Sequence, residues 1–280
     1  MIDTKRTERA AAALAVLALA IALAGAAAAA TETVTDWIRA RGDPDYRLDL
    51  DLTADLLSPG DLYGNWHTAT ATLYVRTIPR LTPFVQAGLF EREDSDAGLT
   101  VGAYADWTGR VYSYTAFTSG GRSHYLPRHR WDHAFYLNAG PVIAVVAAGW
   151  LEDYDAHEDW YVAAGPRVWQ GPVIAEYRLT RTVSAPGDRV GWKHLFSCGW
   201  GEEGRAWLFA NLTLGQERYT ATWISPAQPV DHDFVELAVN YQRWLRPRLG
   251  LKLQAGYLDL GTGIDGYEKV SLGAGAFLEF

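Results

Sequence analysis

Tyr46-Arg47-Leu48-Asp49-Leu50-Asp51-Leu52-Thr53-Ala54-Asp55-Leu56 sets apolar residues at every even position and polar or charged ones at every odd position. Successive side chains of a strand point to opposite faces, so this period of two is the mark of a strand with one apolar and one polar face. The same alternation recurs along the chain. Ala69, Ala71, Leu73 and Val75 alternate with Thr68, Thr70, Thr72 and Tyr74, and Leu99, Val101, Ala103 and Ala105 with Thr100, Gly102, Tyr104 and Asp106. Val173, Ala175, Tyr177 and Leu179 alternate with Ile174, Glu176, Arg178 and Thr180.

Fourteen segments carry the pattern: 46–57, 66–77, 81–92, 97–107, 110–118, 129–139, 141–153, 158–169, 172–183, 190–201, 205–218, 232–245, 248–260 and 266–280. In 141–153 both faces are apolar, in 190–201 the faces are unassigned, and Gly165-Pro166 predicts a bulge or kink in the eighth segment. The connections alternate between short turns, such as Thr108-Gly109 and Arg246-Pro247, and longer polar loops, such as 119–128 and 219–231. Short turns on one side, longer loops on the other and an even strand number are the rule for outer-membrane barrels. A soluble β-sandwich also has short strands and turns, but its strands run to about 5–6 residues. The segments here are near the 9–11 residues needed to cross a bilayer at a tilt. Tyr and Trp gather near segment ends, as an interfacial girdle requires. The expected fold is an all-β transmembrane antiparallel up-and-down barrel of about 14 strands, with 12 as the alternative count.

The N-terminus fits export. Lys5, Arg6 and Arg9 precede an apolar run from Ala10 to Ala30 that closes on Ala28-Ala29-Ala30. A basic n-region, an apolar h-region and an Ala-x-Ala site read as a secretory signal peptide over 1–30. Residues 31–45 then form a short periplasmic lead-in and 46–280 the barrel, with both termini on the periplasmic side of a Gram-negative outer membrane. Removing three of the 25 basic and two of the 33 acidic residues with the signal leaves 22 against 31, a net charge of −9. An acidic chain lacks the footprint for nucleic acid. One cysteine, Cys198, excludes an internal disulfide framework.

On the polar face, the lumen is expected to hold Asp49, Asp51, Asp55, Arg76, Arg92, Asp106, Asp132, Arg167, Glu176, Arg178, Glu236, Lys252, Lys269 and Glu279. Charges of both signs in a membrane protein call for partners, so they either bridge and close a narrow pore or line a polar channel. Arg122, His124, Arg128, His129 and Arg130, with His133 beyond them, gather at the outer end of the sixth segment. As a group they are a candidate grip for the phosphates or sugar acids of lipopolysaccharide or surface glycans. The acidic runs Glu91, Glu93, Asp94, Asp96 and Glu152, Asp153, Asp155, Glu158, Asp159 match no Ca²⁺ loop and read as solvated surface. For a lipid hydrolase, Ser123-His124 are neighbours and His194 and Ser197 fall on opposite faces, and no Gly-x-Ser-x-Gly elbow is present. No catalytic residue, metal or cofactor is expected. The last segment places Gly275, Leu278 and Phe280 at the glycine, hydrophobic and terminal aromatic positions of an outer-membrane assembly signal, with Gly273 where that signal has a polar residue. Its expected partner is the barrel assembly machinery, and that of the apolar face is outer-membrane lipid.

Three stretches resemble the YaiO family of outer-membrane β-barrels. They are the Ala/Thr-alternating run from Leu62 to Thr77, Tyr125-Leu126-Pro127-Arg128-His129-Arg130, and the late hairpin from Tyr241 to Leu251. The resemblance spans 46–280 and implies outer-membrane location. It implies no established activity or ligand. The expected function is a narrow channel or surface-exposed scaffold for polar solutes or glycans. A lipid-modifying barrel enzyme and a purely structural barrel are the alternatives.

Overall fold

A computed structural model describes residues 43–60, 64–121, 125–153, 157–222, 225–261 and 266–280. The expected signal peptide and all but the last three residues of the lead-in lie outside them. Fourteen strands follow in chain order: β1 (Tyr46–Ser58), β2 (Asn65–Val75), β3 (Leu81–Glu91), β4 (Ser95–Asp106), β5 (Val111–Ser119), β6 (His129–Asn138), β7 (Val142–Glu152), β8 (Glu158–Gln170), β9 (Val173–Ala185), β10 (Arg189–Glu202), β11 (Ala206–Ala221), β12 (Gln228–Arg246), β13 (Leu249–Asp259) and β14 (Glu268–Glu279). Each pairs with its chain neighbours and β1 pairs with β14, so the sheet closes into a barrel of fourteen strands, not twelve. All pairs are antiparallel at the seam, where Arg47 faces Glu279 and Ser58 faces Glu268. Beyond the last ladder pair, Tyr46 N–H donates to Phe280 O at 2.8 Å and Phe280 N–H returns a bond to Tyr46 O at 3.0 Å. Both described chain ends therefore lie at one rim, the termini rim, with the short turns. The longer connections form the opposite, loop rim.

The period of two sorts the side chains. Leu52, Leu89 and Val146 point outward and are 60–66% exposed, a pattern that suits lipid and not water. Asp49, Glu176 and Glu279 point inward and are buried. The ambiguous β7 is resolved by its neighbours: Ala147 packs inward with Ala134 of β6 and Ala163 of β8, while Val142 and Val146 are exposed outside. On β10, Trp192, Phe196 and Trp200 face out, and Gly191 and Gly199 face in.

Two local expectations are corrected. Gly165-Pro166 makes no bulge, because Ala164↔Leu179 and Arg167↔Glu176 keep one register across the pair. Pro166 lacks an N–H to give to the ladder, and Gly165 accepts a close approach, since a Cβ there would lie 1.9 Å from Tyr177 O. The register shift falls instead between Trp244 and Arg246, just before Pro247. The loop expected over 219–231 is shorter, because β11 and β12 stay paired out to Ala221↔Gln228. Asp231 helps hold that extension, accepting from Arg189 Nη2 at 2.7 Å and lying 3.1 Å from Arg218 Nε as an ion pair.

Among the described residues, six aromatic rings lie over the glycine across from them: Phe84 over Gly102, Tyr161 over Gly149, Trp207 over Gly201, Phe209 over Gly199, Phe234 over Gly215 and Phe277 over Gly250. A Cβ on any of these glycines would come within 3.0 Å of the opposed ring. The missing side chain lets each ring lie on the neighbouring strand, an aromatic-over-glycine pairing known to stabilise sheets. This accounts for much of the chain's joint excess of glycine and aromatics.

Two outcomes follow. Deleting Phe280 removes the two terminal backbone bonds and the stack of its ring on Tyr46, 5.5 Å between centroids. The barrel should then lose its heat-resistant gel migration at a temperature several degrees lower than the parent. Gly250→Val would place a Cβ 2.0 Å from the Phe277 ring and 2.5 Å from Arg243 O. Overpacking of this kind costs about 1–3 kcal/mol, to be read as a lower urea midpoint of the refolded barrel.

Candidate functional site: the barrel interior

Four sets of side chains occupy the inner wall. The densest lies at the termini rim. Arg47 on β1 donates to Asp49 at 2.6 Å and to Gln242 Oε1 at 2.9 Å. Lys252 on β13 bridges Asp49 at 2.9 Å and Asp51 at 2.6 Å. Glu279, fully buried, takes Arg76 at 3.5 Å and the Trp244 indole N–H at 3.0 Å, with Arg47 at 3.9 Å. Phe277 caps this set: Arg47 lies 4.2 Å above its ring centroid, and Trp244 meets it edge-on. Partners nearly 200 positions apart in sequence meet here because β1 is sewn to β14, and β14 to β13.

A second set crosses β8 and β9. Arg167 donates to Glu176 at 2.6 Å, and Arg178 pairs with the other Glu176 oxygen. Arg167 also lies over Tyr136, which stacks on Tyr112 at 4.5 Å. The third set is Arg130, Asp132 and Tyr161: Arg130 Nε donates to Asp132 at 2.8 Å and Tyr161 O–H donates to it at 2.6 Å. The fourth lies toward the loop rim, where Lys269 and Asp55 stand 3.8 Å apart. Arg92 is held there between the rings of Trp66 and Tyr125, at 4.0 and 4.8 Å. Burial pushes the Arg92 guanidinium below its ordinary value, though a guanidinium still keeps its charge.

Every one of these ions is satisfied locally by an opposite charge or a ring, as ions taken from water require. Asp106 and Glu236 differ. Asp106 shares the inward parity of Tyr104 but is exposed at the termini rim. Glu236 faces in between Thr213 and Leu258 and makes no ion pair among the described residues. The space between the sets is divided. A cavity of about 380 Å³ lies at the termini rim against Arg47, Arg76, Trp207, Phe209 and Lys252. One of about 310 Å³ is lined by Tyr104, Tyr114, Tyr136, Tyr161, Arg130 and Arg178. A third, of about 210 Å³, opens toward the loop rim beside His157, Asp159 and Lys193.

Among the described residues of the cationic group at the head of β6, the side chains take different faces. Arg122 and His124 lie outside the described residues. Arg128 is exposed and pairs with Glu152 at 3.6 Å. His129 stacks against Phe117 at 5.7 Å on the outer wall, and Arg130 turns in to Asp132. Strand alternation starting at His129 sends these neighbours to opposite faces. His133 is also outside, its Nδ1 2.6 Å from Thr115 Oγ1, with its ring stacked on Trp131. His194 faces out against Tyr177 while Ser197 faces in, and Ser123 falls outside the described residues. Among the described residues no three His, Cys, Asp or Glu side chains gather as metal ligands. Of the C-terminal residues, Gly275 faces in and Leu278 and Phe280 face out; a Cβ on Gly275 would meet Asp51 Oδ1 at 2.2 Å. The grouping of Trp207 and Phe209 with Arg47 and Lys252 depends on the closure of the sheet, which no single strand encodes.

The geometry is matched by known proteins. The YaiO membrane beta barrel domain matches residues 45–220, which run from the start of β1 almost to the end of β11. Among solved structures, a bacterial polysaccharide outer membrane secretin aligns with TM-score 0.52 and 9% identity, over 84% of this chain and 98% of that one. The CymD monoaromatic hydrocarbon channel aligns with TM-score 0.52 and 8% identity, over 84% and 88%. The translocator domain of the autotransporter NalP from Neisseria meningitidis aligns with TM-score 0.47 and 13% identity, over 88% and 92%. At such identities the secretin and CymD alignments show a likeness of fold alone. No curated protein matches the chain. With the family's domain covering more than half its length and the sheet closed on itself, the chain belongs to the YaiO family of outer-membrane β-barrel proteins.

Proposed function

We propose that this barrel is a narrow, non-enzymatic channel for small polar solutes, set in the outer membrane with the termini rim on the periplasmic side. The observation that carries the reading is the inner wall itself: most of its cations and anions pair with one another, and cavities of about 380, 310 and 210 Å³, lined by polar and aromatic side chains, lie between them. A barrel of this size lies between the filled eight-stranded cans and the open porins of about 16 strands. Paired charges leave the lumen wet but without a strong net field, so the pore should pass small polar molecules and discriminate weakly between ions. The exposed apolar outer wall meets lipid, and the longer loops, with Arg128 at their edge, face the cell exterior and its lipopolysaccharide and glycans. In the same reading Gly275, Leu278 and Phe280 present β14 to the assembly machinery during insertion.

Reconstitution in a planar bilayer tests the channel. Small, ohmic single-channel steps are expected from the parent barrel. In the double variant Arg47→Ala/Lys252→Ala, Asp49, Asp51 and Glu279 lose cationic partners. Conductance should rise, and the reversal potential in a KCl gradient should move toward cation selectivity. A parent barrel that never conducts would remove the channel reading.

A further inference from the structure

Trp207 and Phe209 stand two residues apart on β11 and both face inward. Opposite them on β10 lie Gly201 and Gly199. A Cβ at Gly199 would sit 2.3 Å from the Phe209 ring, and one at Gly201 would sit 2.9 Å from the Trp207 ring. Both rings therefore lie against the wall over bare backbone instead of crossing the lumen. Their centroids are 5.5 Å apart and their planes differ by 23°. Together they form one nearly continuous aromatic strip.

The strip lines the cavity of about 380 Å³. Asn240, Gln242 and Gln254 border the same space. Arg47 donates to Gln242 Oε1, which leaves the amide N–H groups of Gln242 as donors. Gln254 donates through Nε2 to Thr53, which leaves its carbonyl oxygen as an acceptor. Of the neighbouring charges, Lys252 is held by Asp49 and Asp51, Arg47 and Arg76 by Asp49 and Glu279, and Glu203 accepts from the Trp207 indole N–H at 3.3 Å.

We infer that this strip is a stacking subsite for uncharged pyranose rings, so that the polar solute engaged by the lumen is a saccharide. The inference rests on the lumen being the working surface of the protein. A pyranose has an apolar C–H face and a rim of hydroxyls that both give and accept hydrogen bonds. The negative face of an aromatic ring attracts the C–H face, and the amides at the border meet the hydroxyls. A simple anion would have no use for the strip, and an apolar aromatic ligand would leave the amides unsatisfied. The volume admits a saccharide of about one or two rings inside a longer chain.

The test uses the refolded full barrel in detergent, with maltotriose and cellotriose as probes and sorbitol as an open-chain polyol. Isothermal titration should detect at least one of the two trisaccharides and not sorbitol. Trp207→Ala should weaken that binding by about tenfold, the loss of roughly one good stacking contact. Trp207→Phe should keep it within about threefold. Heat-resistant gel migration reports folding, and if Trp207→Ala does not fold, Phe209→Leu carries the same expectation. Absence of binding by both trisaccharides, equal binding of sorbitol, or unchanged affinity in the folded alanine variant overturns the subsite. The bilayer separates this outcome from failure of the channel. Conductance without trisaccharide binding sinks the subsite alone. Binding lost with Trp207 in a barrel that never conducts leaves the subsite standing and removes only the channel.

Discussion

The structure depends on one requirement: within a membrane every backbone N–H and C=O must be paired inside the protein. A sheet meets it only by closing on itself, and here closure is the antiparallel ladder of β1 with β14. That ladder has consequences far from the seam. It brings both described ends to one rim and removes the open edge that would invite aggregation. It also fixes the tilt and register that bring Lys252 to Asp49 and Arg76 to Glu279. The ion cluster at the termini rim is thus a product of the seam. It also reinforces it, since Glu279 and Asp49 lie on the two strands that close the barrel.

The interior is organised by pairing and not by the sum of its charges. Glu176 is shared between Arg167 and Arg178 on adjoining strands, and Asp132 between Arg130 and Tyr161. These two anions have their donors within the wall, so the clusters around them carry little unbalanced charge. The outer wall shows the complementary economy of design: apolar side chains face lipid, and two of the histidines found there, His133 and His194, are tied to Thr115 and Tyr177.

Most of the fold was legible in the sequence because period two is a local property that lipid and water enforce on every strand. Strand ends drifted where pairing runs past the membrane band, as along β11 and β12, where polar composition reads as loop. β7 was ambiguous for a tertiary reason, since its inward alanine packs on alanines of β6 and β8. Gly165-Pro166 misled because the missing N–H interrupts a ladder without inserting a residue. The inward charges could be named from parity, but their partners could not. Partnership depends on shear and closure, which no single strand encodes. His129 and Arg130 are neighbours in that cationic stretch of sequence, yet strand alternation sends them to opposite faces.

The rings resting on glycines also bear on how such a wall can vary. Barrel bore is usually discussed in terms of strand number, which changes only by adding or losing whole hairpins. Here a finer dial exists. Each ring lies flat on the wall because the residue opposite it is glycine, and both members of the pair are single codons on adjacent strands. Relatives could therefore narrow, widen or partition the passage by point substitution while the hydrogen-bonded shell stays fixed. Wall and septum would be two settings of one side chain.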